Sequence, residues 1–346
     1  MTYYKLRIAK IIRETSKAIS VQFHVPDELK GTFAFRAGQY VSLQLTLDGH
    51  TVRRAYSLSS TPSSGILQIT IKEIGNGYFS KFANQNLQEG HFLEVAPPEG
   101  RFLIDVVSGK NYLGIASGSG ITPIWSMVSS VLEKADGTSF YLLYGNKSKA
   151  DTIFYDALVQ LQQQYPDRFF PQMVFSQESA DGAMFGRIDA AKIHFLMKNT
   201  WKNIAFEQVF LCGPEEMIAT AEKTLLEYNL IESQIKKELF NSSINTPAPE
   251  NVAGTTKLTI ILDDVTTELE LSAKQTVLEA ALKLGLDAPY SCQGGICSSC
   301  MARVKEGTAV MVKNTVLTDA EVAEGLILTC QAHATSATLV VDYDDI

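Results

Sequence analysis

Apolar and polar residues alternate in short runs over the first hundred positions: "AISVQFHV", "QYVSLQL" and "ILQITIKEI" are broken by Gly, Pro and Asp. Alternation at period two sends successive side chains to opposite faces of a strand, so these runs predict an antiparallel β-barrel. From about Tyr112 the rhythm changes. Continuous apolar runs, "NYLGIAS", "SFYLLYG", "FFPQMVFS" and "QVFLCGP", are separated by helical stretches such as "DALVQLQQQY". That alternation predicts an α/β fold with a doubly wound parallel sheet. In "FNSSINTPAPENVAGTT", from Phe240 to Thr256, Ser, Asn, Pro and Gly replace periodic apolar residues, the composition of a linker. Beyond it "KLTIIL" and "TTELEL" pair as strands, "TVLEAALKLG" reads as a helix, and "LILTCQA" and "ATLVVDY" read as two further strands. A small α+β domain, a mixed sheet folded across one helix, is predicted there. The boundaries on this reading are 1–106 for the barrel, 107–240 for the α/β domain, 241–256 for the linker and 257–346 for the last domain.

With 346 residues the chain is too long for one core, and 45% hydrophobic with 20% charged residues is an ordinary folded composition. Tyr112 to Leu132 carries no charge and is long enough for a bilayer, but its "ASGSGITP" centre breaks a spanning helix, so no membrane span is predicted. The opening "MTYYKLRIAK" lacks the apolar stretch of a signal peptide, which predicts a cytoplasmic chain in which structural disulfides are disfavoured. Of 30 Lys and Arg and 38 Asp and Glu, residues 257–346 hold six and thirteen, so that segment carries −7 of the net −8. An acidic domain fits either a solvated face or docking to a basic protein partner, and it argues against nucleic acid.

Three of the five cysteines crowd into "YSCQGGICSSCMARV". Cys292, Cys297 and Cys300 follow C-x4-C-x2-C, and Cys330 lies far downstream. Four thiolates at this spacing suit a [2Fe–2S] cluster, three from one wrapping loop and the fourth from a neighbouring strand. Gly294 and Gly295 allow backbone angles that bring amides near the sulfurs. Structural zinc would show a second C-x2-C pair or Cys with His, and a thioredoxin-like pair would need neither Cys292 nor Cys330. Cys212 stands apart at a strand end, where a small buried residue is the ordinary role.

Two further motifs are weaker alone. In "RRAYSLSS" an Arg, an aromatic and a hydroxyl stand where they can meet a pyrophosphate and a flavin ring, although Arg and Tyr on a strand are more often surface and core. In "GNGYFSKFANQ" glycines precede Ser80 and a helix start, which reads either as an anion site capped by Ser80 or as an ordinary capped helix. Together with the cysteine segment they resemble the ferredoxin–NADP reductase superfamily with a C-terminal plant-type ferredoxin domain of β-grasp fold. The resemblance implies that Arg54 and Ser80, with Gly77, hold the FAD pyrophosphate, that Tyr56 packs on the flavin, and that Ser57 faces its reactive edge. It also implies that Cys212, Gly213 and Pro214 lie beside the nicotinamide, with Ser57 and Cys212 the catalytic candidates.

"GIASGSGITPIWSMV" ends a strand with Gly118, Gly120, Thr122 and Pro123, then starts a helix, a place for a pyrophosphate. Pro replaces the third Gly of the usual dinucleotide fingerprint, so the match is to the superfamily's own loop. After the next strand come Asn146, Lys147, Ser148 and Lys149, with Asp151 only later. Cations rather than an acid favour NADPH over NADH, and Arg187 in "FGRID" adds a second cation by the resemblance. Hydride brings two electrons and a [2Fe–2S] cluster takes one, so the order NADPH to FAD to cluster follows. The order of domains is similar to bacterial oxygenase reductases. The cysteine run and the closing "VVDYD" resemble most the branch serving phenylacetyl-CoA epoxidase. A reductase for a fatty-acid desaturase or steroid hydroxylase keeps every motif, and a redox-sensing iron–sulfur binding protein is the non-enzyme alternative.

Overall fold

The computed structural model describes all residues except Met1, 48–49, 76, 135–136, 241–254, 273 and 291. It divides into two compact units, Thr2–Phe240 and one that begins after Phe240 and ends at Ile346. The predicted linker 241–256 lies outside the described residues up to position 254.

The first unit opens with strands β1 (Tyr4–Thr15), β2 (Ala18–His24), β3 (Tyr40–Leu47), β4 (His50–Ser57), β5 (Leu67–Lys72) and β6 (Phe92–Val95), with helix α1 (Tyr78–Asn86) between the last two. Every pairing is antiparallel, in the order β4-β3-β6-β1-β2-β5. An antiparallel bridge from Leu58 to Ile69 joins the two edges, so the sheet closes into a barrel. The alternation seen in the sequence is why it closes on a core: Leu6, Ile8, Ile19, Val21, Ile69 and Ile71 point inward. The motif "RRAYS" is itself part of β4.

The second half of this unit alternates β7 (Asn111–Ser117), α2 (Ile121–Lys134), β8 (Ser139–Asn146), α3 (Tyr155–Gln164), β9 (Phe169–Phe175), β10 (Met184–Phe185), α4 (Ala190–Phe195), β11 (Phe206–Gly213), α5 (Glu215–Leu225) and β12 (Ile235–Leu239). All pairings are parallel, in the order β10-β9-β8-β7-β11-β12. Chain order runs outward from β7 on one side and resumes at β11 on the other, which makes the C-terminal ends of β7 and β11 the switch point where such sheets bind ligands. The uncharged stretch from Tyr112 becomes β7, a glycine turn and α2, and no described helix is long and apolar enough to cross a membrane.

The second unit holds β13 (Thr255–Leu262), β14 (Val265–Ser272), α6 (Val277–Lys283), β15 (Met301–Glu306), β16 (Ala309–Met311), α7 (Asp319–Ala323), β17 (Leu326–Leu328), β18 (Ala332–Ala334) and β19 (Thr338–Asp342). Its main sheet runs β14-β13-β19-β15-β17, and β16 pairs with β18 in a separate ribbon. The first turn of α6 is fixed by a capping box in which Thr276 and Glu279 satisfy each other's amides. Val277, Leu278, Ala280 and Ala281 face the sheet. "LILTCQA" is not one strand: β17 stops at Leu328, a turn carries Thr329 and Cys330, and β18 begins at Ala332.

Candidate functional site

On β4 period two separates the paired arginines. Arg53 is buried, donates from Nε to Gln44 Oε1 at 2.6 Å and lies over the Tyr3 ring, so it belongs to the barrel wall. Arg54 is exposed on the other face, with Tyr56 two residues on. The Tyr56 ring packs on Phe79 of α1 at 5.7 Å, which brings Arg54, Tyr56 and the start of α1 into one neighbourhood. Burial pushes the Tyr56 phenol pKa upward, against the pull of Arg54.

Gly77 is the residue that caps α1, and a Cβ there would collide with Ser80 Oγ and the Ile74 side chain. Ser80 is therefore not the cap that the sequence suggests. It sits inside the first turn, its hydroxyl accepting from Ile74 N at 3.2 Å and donating to Gly77 O at 3.3 Å, which tightens the turn before the helix. With no acidic residue in that turn, the leading amides of α1 keep their positive end for an anion. These residues fit a dinucleotide phosphate.

At the switch point the sheet ends meet the barrel. Gly118 takes φ +56, and a Cβ on Gly120 would collide with Cys212 O and Gly213 N, so α2 can start this close to β11 only without a side chain there. Thr122 Oγ1 donates to Ser119 O at 3.0 Å, and Pro123 occupies the first turn of α2. That turn has no acid, whereas α5, entered through Pro214, is complemented by its own Glu215 and Glu216. The N-terminus of α2 is thus the better phosphate cradle. Lys72, at the end of β5, places Nζ 3.2 Å from where a Gly118 Cβ would be. Burial lowers its pKa, Asp151 raises it, and Lys147 and Lys17 lower it further. No local pattern points to Lys72, because the contact joins the barrel to the parallel sheet.

Cys212 pairs with Glu238 across β11 and β12. The Glu238 carboxylate accepts a long hydrogen bond, 3.4 Å, from Ser57 Oγ at the end of β4. Burial pushes the Glu238 pKa up to about 8, against the Ser57 hydroxyl, and burial with the Glu238 charge keeps the Cys212 thiol protonated. Ser57 and Cys212, singled out by resemblance, are therefore brought to one carboxyl that sequence reading missed. At the end of β8 burial raises the pKa of the Tyr144 phenol, against a hydrogen bond with the Asn146 side chain, which pulls it down. Ser148 is tied to Asp151 at 2.7 Å, and Lys149 stands over the Tyr155 ring. Lys147 and Arg187 are exposed, and Ile188 packs toward Gly145, which sets Arg187 near this strand end. A second missed acid, Glu178, reaches the loop and accepts from Lys149 N at 2.7 Å.

In the second unit Cys297, Cys300 and Cys330 are buried and Cys292 is half-buried. The thiols interact as Cys292 with Cys297 and Cys300 with Cys330, and Cys292 also meets Cys330. No group of three among the described residues has the geometry for a single metal ion. Two neighbouring pairs are instead what a two-iron cluster needs. Gly294 N donates to Cys292 Sγ at 3.3 Å, and the Gly295 amide serves Cys330. Gly295 takes φ +69 with Lys313 O against its Cβ position, so this amide can reach sulfur only from a glycine. Cys330 comes from the turn after β17 rather than from a strand. The donor set fits a [2Fe–2S] cluster.

Residues 5–104 match an oxidoreductase FAD-binding domain, 115–223 an oxidoreductase NAD-binding domain and 260–335 a 2Fe-2S iron-sulfur cluster binding domain. The chain is 34% identical to a subunit of 1,2-phenylacetyl-CoA epoxidase from Escherichia coli, over 99% of this chain and 98% of the relative. It is 32% identical to the ferredoxin reductase component of 3-ketosteroid-9-alpha-monooxygenase from Rhodococcus rhodochrous, over 98% and 96%. In fold it is similar to phthalate dioxygenase reductase, a modular structure for electron transfer from pyridine nucleotides to [2Fe–2S], with TM-score 0.63, 24% identity and 98% of both chains covered.

Proposed function

The chain belongs to the ferredoxin–NADP reductase superfamily, in the oxygenase-reductase form with a C-terminal [2Fe–2S] domain, and on that premise we propose that it draws hydride from NADPH and serves an oxygenase of the phenylacetyl-CoA epoxidase type. It is an NAD(P)H-dependent oxidoreductase that passes electrons to a partner oxygenase. When bound, FAD supplies the exchange between a two-electron hydride and the single electrons a [2Fe–2S] cluster carries.

The chain's own residues do the positioning. Arg54 and the first amides of α1 bind the FAD pyrophosphate, with Gly77 and Ser80 holding the turn in shape, and Tyr56 packs against the ring. Gly118, Gly120, Thr122 and Pro123 shape the cradle for the nicotinamide dinucleotide, where Lys72 adds positive charge. Cys212, Gly213 and Pro214 border the nicotinamide. Glu238 holds a proton beside Ser57 Oγ, so a proton donor and acceptor stand at the meeting of barrel and sheet. Cys292, Cys297, Cys300 and Cys330 hold the cluster, and the acidic surface of that domain meets a basic face on the oxygenase. Four thiolates reserved for a cluster suit a reducing compartment, and we place the protein in the cytoplasm.

The observation that supports NADPH is the pair Lys147 and Arg187, both exposed and without an ion pair among the described residues, while Glu178 is engaged by Lys149 N. Removing both cations, Lys147→Ala with Arg187→Ala, is expected to lower kcat/KM for NADPH roughly 10–100-fold and that for NADH less than about threefold. Steady-state rates with the two nucleotides decide it, and a wild-type preference for NADH overturns it. The partner is tested by reconstitution: NADPH-driven epoxidation of phenylacetyl-CoA with the epoxidase supports it. Coupling only to a desaturase or a steroid hydroxylase contradicts it.

A further inference from the structure

We propose that Gln331 is a positioning residue for the iron–sulfur centre: its side-chain amide fixes the Gln293–Gly294 peptide, so that the Gly294 N–H faces the Cys292 sulfur and raises the cluster's reduction potential. The inference rests on the assignment of the four cysteines as ligands. Gln331 follows Cys330 in the turn after β17, and its Nε2 donates to two carbonyls, Gln293 O and Cys330 O, both at 3.1 Å. Two carbonyl partners require the nitrogen of the amide, not its oxygen, to face them, so the neighbours set its orientation. One side chain thus ties the loop that carries Cys292 to the turn that carries Cys330, across 38 positions of sequence.

Gln331 itself has little freedom. Its N–H donates to Leu328 O at 2.9 Å and its carbonyl accepts from Val312 N at 3.0 Å. Its Cγ lies 3.0 Å from where a Cβ on Gly295 would stand, so the stem packs against the backbone of the cysteine loop. Within that loop Gly295 O is held as well, accepting from Thr315 N at 3.1 Å and from Thr315 Oγ1 at 3.0 Å. Gln293 takes φ +53, a left-handed conformation that residues with a Cβ rarely adopt and that persists where neighbours hold it. The hold is transmitted within one peptide unit, because a trans peptide turns its C=O and its N–H to opposite sides. Fixing Gln293 O on Gln331 therefore fixes the Gly294 N–H on the other side, where it donates to Cys292 Sγ at 3.3 Å.

A cluster bound by four thiolates is anionic and gains a further negative charge on reduction. An N–H dipole held at a ligand sulfur favours the reduced form. Without the Gln331 amide, Gln293 is free to return to negative φ, which turns the Gly294 N–H away from the sulfur. The test is a redox titration of full-length holoprotein, wild type against Gln331→Met, following cluster absorbance and the EPR signal of the reduced cluster. The substitution keeps the length of the stem and removes the donor, and it is expected to lower the cluster's midpoint potential while leaving the flavin's unchanged. Glycine holds φ +53 without help, so in a Gln293→Gly background the same substitution is expected to shift the midpoint less. Equal cluster potentials in wild type and Gln331→Met overturn the inference, and so does an equal shift in both backgrounds, which would leave Gln331 a packing role alone. If Gln331→Met loses its cluster on purification, the double variant with Gln293→Gly is expected to retain it, and its failure to do so overturns the inference. A wild-type protein with no [2Fe–2S] spectrum would sink the ligand assignment, and the inference with it.

Discussion

Ser57, Cys212 and Glu238 stand at the ends of three strands from two sheets, and only the fold makes them neighbours. Glu238 titrates from about 4.5 in the unfolded chain to about 8 in the folded one, because its charged form is buried. The folded state therefore binds this proton more tightly. The associated stability is fully present below the unfolded value and is lost as pH rises through about 8. Thermal unfolding of wild type and Glu238→Gln from acid to pH 9 is expected to show a loss on the order of 1–3 kcal/mol in wild type, discounted for the partial exposure of the side chain, and little loss in the variant. Parallel curves would contradict a buried neutral carboxyl. Arg53 and Arg54 divide in the same local way. Arg54→Ala is expected to weaken FAD retention by about 1–3 kcal/mol with little change in barrel stability, and Arg53→Ala to lower barrel stability. Flavin content and melting of the apoprotein separate the two. The sequence motif named Arg54, Tyr56 and Ser57, but nothing in it pointed to Glu238, 181 positions from Ser57. A long-range partner leaves no local pattern.

At the scale of elements, the turn from β7 into α2 sets the geometry of the proposed nucleotide site. Its glycines were legible in "GSGITP", since a strand, two glycines and a proline in the first helical turn mark a phosphate-binding turn. Their separate duties were not. Gly118 is needed for its backbone angle and for the approach of Lys72, whereas Gly120 is needed because β11 passes within contact of it. Gly120→Ala is expected to cost about 1–3 kcal/mol, from overpacking against Cys212 O, and to weaken NADPH binding even where the protein still folds. Denaturant midpoints and nucleotide titration measure the two effects, and a variant as stable as wild type would show that α2 can move away from β11. Strands with clean alternation or continuous apolar runs were readable. The short β15 and β16 were hidden beside the cysteine loop, and "LILTCQA" looked like one strand because the turn at Thr329 and Cys330 is as apolar as its flanks. The Thr329 contacts to Cys300 and Leu278 hold the turn there, and they leave hydrophobic periodicity unaltered.

For the whole molecule, domain order tells most. An FAD-binding barrel, an NAD-binding parallel sheet and an acidic 2Fe-2S domain bring three redox groups to one chain. Legibility was high here because each domain has its own period and the charge asymmetry marks the last. The register between Ser57 and Glu238, and the reach of Lys72 to Gly118, required the fold. On the proposed ligand assignment, electrons enter as hydride at the first unit and leave one at a time through the four cysteines of the second. The direct measurement is anaerobic reduction by NADPH, followed by flavin absorbance and EPR together, in wild type and Cys297→Ser. Wild type is expected to bleach its flavin and then develop a reduced-cluster signal and reduce cytochrome c rapidly. Cys297→Ser is expected to bleach its flavin at an unchanged rate with no cluster signal and little cytochrome c reduction. Rapid cytochrome c reduction by a cluster-free Cys297→Ser protein would show that electrons leave from the flavin and not through the four cysteines.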